Sequence, residues 1–120
     1  MKQDIWDEGK YIDMWTVNHT LSGFILAGWL GVFGVSTPVS IVISSILFIG
    51  WEVFEYLYKI EETPNQVVDI IANYVGLIIY YRVSPSLESH LPSILATASV
   101  LFLFLEIVGY VAYLKRSHHG

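Results

Sequence analysis

The sequence predicts an all-α integral membrane protein, a single-domain four-helix bundle of 120 residues. Composition is the first reason. Hydrophobic residues make up 54% of the chain and charged residues 14%, where soluble domains hold about 25% charged. Mean hydropathy is +0.56. The second reason is distribution. The apolar residues fall in runs close to the roughly 20 residues that a helix needs to cross the hydrocarbon core.

The first predicted span covers about 15–33 and the second 38–58. Gly34 closes one and Pro38 opens the other, the usual punctuation of helix ends. The third, 66–81, is short for a full crossing. Its start is marked by Thr63, Pro64 and Gln66, which read as an N-cap, a first-turn proline and a capping-box partner. The fourth, 94–114, is apolar apart from Glu106. Between the last two, SPSLESHLPS carries two prolines and predicts a loop or a short interfacial helix. Tyrosines and tryptophans such as Trp15, Trp51, Tyr58, Tyr81 and Tyr113 flank the spans and suit an interfacial belt.

Topology follows from the basic residues. Four spans put Lys2, Lys10, Lys59, Lys115 and Arg116 on one side and leave only Arg82 on the other. The chain is thus predicted to be a multi-pass cell-membrane protein with both termini cytoplasmic. A re-entrant third segment would move the C-terminus outside.

Polar residues inside these runs are the most informative feature. His19, Glu52, Glu55, Asp69, Asn73 and Glu106 interrupt otherwise apolar sequence. Such groups are costly in lipid unless they face each other, a metal or trapped water. At 1.5 Å rise per residue, all of them fall within roughly 5 to 12 Å of the cytoplasmic boundary. Their spacing also gives shared faces. Glu52 and Glu55 are i,i+3 neighbours, and Asp69, Asn73 and Gly76 form one stripe. His19, Gly23, Ala27 and Gly31 form another, with small residues that let a second helix come close.

One imidazole and three carboxylates suit a divalent Zn, Mn or Fe ion. The expected ligands are His19, Glu52, Glu55 and Asp69, with Asn73 and Glu106 supporting the polar site. No H-E-x-x-H, P-loop or Ser-His-Asp pattern is present. The chain has no cysteine, so disulfides and thiolate metal sites are excluded. Net charge is −5 and basic residues do not cluster, so no nucleic-acid partner is expected.

The order DMWTVNH, then WEVFE, then DIIANYVG resembles the small VanZ-like and YjdF-like bacterial membrane proteins. The matching positions are His19, Glu52, Glu55, Asp69, Asn73 and Gly76, over roughly 13–81. The resemblance implies a small polytopic membrane protein with a polar intramembrane site. It names no reaction. Three functions are open at this point. The first is a metal-dependent or lipid-interface enzyme. The second is an accessory subunit of a larger membrane complex, or a homo-oligomer. The third is a proton- or ion-linked transport component, for which Ser40, Ser44 and Ser45 are the only further polar path.

Overall fold

The computed structural model describes residues 14–58 and 63–119. Those residues are helical almost throughout. Helix α1 spans Met14–Val32, α2 Thr37–Leu57, α3 Thr63–Leu87 and α4 Leu91–His119, with a single 3-10 turn at Glu88–His90 between the last two. Lys2, Lys10 and Lys59, on which the charge asymmetry leans, lie outside the described residues.

The expected four-helix membrane bundle does not stand. Only the 3-10 turn separates α3 from α4, with no loop between them, so the described residues form three helical stretches rather than four separate spans. Among the described residues, two stretches are long and apolar enough to cross a membrane, Thr37–Leu57 and Val67–Lys115. The second swallows both expected spans at 66–81 and 94–114, and the expected span at 15–33 is not among them. The reasons are local. Pro92 sits in the first turn of α4, where a missing donor costs little, and Pro85 falls inside α3 only two residues before its end. The segment also lacks a glycine to end the helix. Helix α1 mixes Thr16, Asn18, His19, Thr20 and Ser22 into its first half, which dilutes its apolar character.

The long run folds back on itself. At 1.5 Å per residue a straight helix from 67 to 115 would be about 70 Å long, against a largest extent of 47 Å. Helix α1 shows the reversal. It runs parallel to α3, with His19 beside Asn73 and Gly31 beside Tyr80. It runs antiparallel to α4, with Asn18 bonded to Glu106 and Trp29 to Ser99. Residues 14, 57, 63 and 115 therefore lie toward one end, and the turns at 33–36 and 88–90 toward the other.

Helix α1 ends as expected. Gly34 takes the left-handed conformation, φ +85°. Its N–H reaches the Gly31 carbonyl, and the Val35 N–H reaches that of Leu30, both at 3.0 Å. This is the Schellman arrangement, which satisfies carbonyls that a helix end leaves open. Ser36 and Pro38 then start α2.

Packing is centred on α1 against α3. A Cβ at Gly23 would strike the Asn73 carbonyl, and one at Gly76 would strike the Thr20 carbonyl. The two backbones thus touch where only glycine fits, as small-residue seams allow. Beyond that seam lies an apolar core of Ala27, Phe48, Leu77 and Tyr80. Phe24 meets Tyr80, and Phe48 meets Tyr74, edge to face at 5.7 and 5.3 Å. The outer faces of α2 and α4 leave Ile46, Val42, Val100, Phe104 and Ile107 exposed. Apolar faces this extensive are found where a protein meets a membrane or a partner.

Candidate metal centre

Three helices bring the site together. The glycine seam holds α1 and α3 at contact distance one turn from His19, which delivers its ring to Asp69 and Asn73. Helix α2 crosses with Glu52 and Glu55 turned inward, both buried. Asp69 is 0% exposed and Glu52 4%.

His19 Nε2 lies 3.3 Å from Asp69 Oδ2 and 3.9 Å from Glu52 Oε1. One ligand atom from each of His19, Glu52 and Asp69 falls within 4.8 Å of the others, so the group could hold a metal ion. Metal bonds of 2.0–2.2 Å at tetrahedral angles put ligand atoms about 3.4 Å apart. Binding would therefore draw the widest pair together slightly. Two carboxylates this close in a dry interior also need a positive partner, since unpaired buried charge is expensive.

Asn73 stands behind the imidazole, its Nδ2 3.2 Å from His19 Nδ1. With the amide donating, Nδ1 accepts and Nε2 carries the proton toward Asp69. A metal on Nε2 requires the other tautomer, with the proton on Nδ1. Asn73 can serve that too by turning its amide to present Oδ1. That oxygen is buried and has no hydrogen-bond partner among the described residues, so the turn breaks nothing else. A hydrogen-bonded partner on the far nitrogen is what metal-binding histidines normally have.

The other expected site residues divide. Glu55 is not in the close group. It lies one turn from Glu52, beside His19, on the wall of a cavity of about 910 Å³. Glu106 sits elsewhere on that wall, accepting a 2.6 Å hydrogen bond from Asn18 Nδ2. It supports the polar character of the cavity rather than the close group.

Asn18 is the residue sequence reading missed. It is 1% exposed, nearly as buried as Asp69 and Ser44. A signal was present, because Asn18, Ser22, Ile25 and Trp29 make a second stripe on α1 next to the His19 stripe. That stripe faces α4, where Trp29 Nε1 donates to Ser99 Oγ at 2.9 Å. Ser40 and Ser44 are also buried, with hydroxyls lacking a hydrogen-bond partner among the described residues.

No protein-family model, curated protein or solved structure matches this chain. Function has to be argued from the chemistry of the site.

Proposed function

We propose that this is a membrane-embedded metalloprotein in which His19, Glu52 and Asp69 bind a divalent ion, and that it acts as an enzyme at the lipid interface. The observation that carries this is the approach of the three ligand-capable groups within 4.8 Å in a buried setting. One nitrogen and two carboxylate oxygens suit Zn, Mn or Fe. Three protein ligands leave a position for water, which the ion would make a nucleophile near neutral pH. Glu55 is within a turn and faces the cavity, so it is the group to take that water's proton.

In this reading the two long apolar stretches lie in the bilayer. We take the end carrying the site as the cytoplasmic one, since Lys115 and Arg116 lie at that end of α4. The resemblance to VanZ-like and YjdF-like proteins agrees with such a site and adds no reaction.

Elemental analysis of the purified protein tests the proposal. Roughly one divalent ion per chain is expected, as for a three-ligand site. Glu52→Gln and Asp69→Asn should each lose it. Retention of the ion by Asp69→Asn, or no uptake by the unmodified protein after loading, overturns the assignment.

A second reading, proton-linked transport, draws on the buried serines. From Glu52 the inward face of α2 continues through Ser45, bonded to Tyr74, to Ser44 and Ser40. Carboxylate, imidazole and hydroxyl chains inside helices are typical of proton pathways. Proton flux into vesicles that disappears with Ser44→Ala, in protein without bound metal, would favour it over the enzyme.

A further inference from the structure

The cavity beside the metal centre is polar at one end and apolar at the other. Along α1 it extends from Trp15 to Trp29, about 21 Å at 1.5 Å per residue. At the end near Trp15 it is lined by Asn18, His19, Glu55 and Glu106. At the other end its walls are Ile25, Leu26, Phe48 and Phe102. Leu47 on α2 and Leu103 on α4 are exposed at its rims, so the slot opens sideways between those helices.

Its polar end has a definite sign. Glu55 and Glu106 both face it beside His19, and among the described residues no Lys or Arg lines it. Asn18 sharpens the point. Its Nδ2 is committed to Glu106 Oε1, which fixes the amide and leaves Oδ1 as an acceptor. That oxygen is buried and has no hydrogen-bond partner among the described residues. Buried polar atoms are normally satisfied, so an acceptor without a partner, on a side chain that lines the cavity, favours a donor that reaches in beside it. Carboxylate and amide oxygens together ask for a cationic donor, and they repel phosphate or carboxylate.

We propose that the cavity binds a single-chain amphiphile with a primary ammonium head, the head at Asn18 and Glu106 and the hydrocarbon chain running toward Trp29. The sideways opening lets the chain enter from the bilayer without leaving apolar surroundings. Asn18 and Glu106 lie outside the His19, Glu52 and Asp69 group, so the proposal stands or falls separately from the metal.

Trp15, Trp29 and Trp51 line the slot, which supplies the readout. Brominated amphiphiles of equal length, with an ammonium, a hydroxyl or a carboxylate head, are titrated into the full chain in nanodiscs of phosphatidylcholine. Chelator is present throughout, then replaced by Zn²⁺. Saturable quenching by the amine is expected, at least about ten-fold tighter than by the alcohol, the value of one charge-assisted hydrogen bond. The carboxylate should bind weakest in the metal-free protein. Glu106→Gln keeps an acceptor for Asn18 and should reduce the preference for amine over alcohol to about two-fold or less. Equal quenching by all three heads, or quenching that never saturates, overturns the proposal. So does tighter binding of the alcohol than the amine. Comparison of the heads in the unmodified protein decides the matter even if the variant does not fold.

Discussion

The amide of Asn73 lies 3.2 Å from Nδ1 of His19, on the side of the ring away from Asp69. This contact fixes the plane of an imidazole that would otherwise turn freely about its two side-chain bonds. It also couples the proton on one nitrogen to what the other can bind.

Asn73→Ala should therefore weaken metal binding by about 10- to 100-fold, the usual effect of removing a ligand's hydrogen-bonding partner. Competition against a chromophoric chelator measures it. An unchanged affinity in a protein of unchanged helicity would reduce Asn73 to a packing residue.

Metal should also stabilise the fold. An ion at about 1,000 times its Kd adds about 4 kcal/mol through binding to the folded state alone. Thermal unfolding in detergent should show a clear rise in Tm with Zn²⁺ or Mn²⁺ and a fall with chelator. In Asp69→Asn both responses should vanish.

The glycine seam predicts an asymmetry among conservative substitutions. Gly23→Ala and Gly76→Ala place a methyl group against a carbonyl of the facing backbone. Each should destabilise by about 1–3 kcal/mol or more, as overpacking does. Gly50→Ala meets open space on α2 and should be neutral or stabilising by up to about 1 kcal/mol. Equal effects at all three positions would mean that α1 and α3 do not touch as described.

Asn18 and Glu106 should behave as a pair. Glu106→Leu strips a buried amide of its acceptor and should cost about 1–3 kcal/mol. Adding Asn18→Leu to it should recover much of that, because two apolar partners leave nothing unsatisfied. Additive losses in the double variant would argue against the 2.6 Å bond.

With no native cysteine, single cysteines report which end of the chain faces out. Ser36→Cys and Ser86→Cys lie at the turn end, and Lys115→Cys at the site end; all three positions are exposed. An impermeant thiol reagent added to intact cells should label the first two and spare the third. Labelling of Ser86 and Lys115 together would mean that the long run does not cross.

Residue spacing made part of this architecture legible. The i,i+4 series from His19 through Gly23 and Ala27 to Gly31 marked a contact face because small residues and a buried imidazole have no other use in an apolar run. Asp69, Asn73 and Gly76 did the same on α3. The join between α3 and α4 was not legible, since two prolines usually mark a loop, and whether they end a helix depends on their place in its turns. Nor was Glu106's partner. A lone acid on an apolar helix gives no direction to its bond, and Asn18 sits beside His19, which drew the attention. The number of crossing segments was misjudged for a related reason. Hydropathy counts residues one helix at a time and does not see how polar groups are shared between helices.

Helix α1 has a place in the order of assembly that follows from its composition. It is synthesised before α3 and α4, which carry the groups that satisfy its polar residues: Asn73 and Asp69 for His19, and Glu106 for Asn18. It is also not among the described stretches long and apolar enough to cross a membrane. Its polar residues are therefore matched only once α3 and α4 have packed against it. A chain cut before residue 69 would hold Asn18 and His19 on α1 without any of these partners.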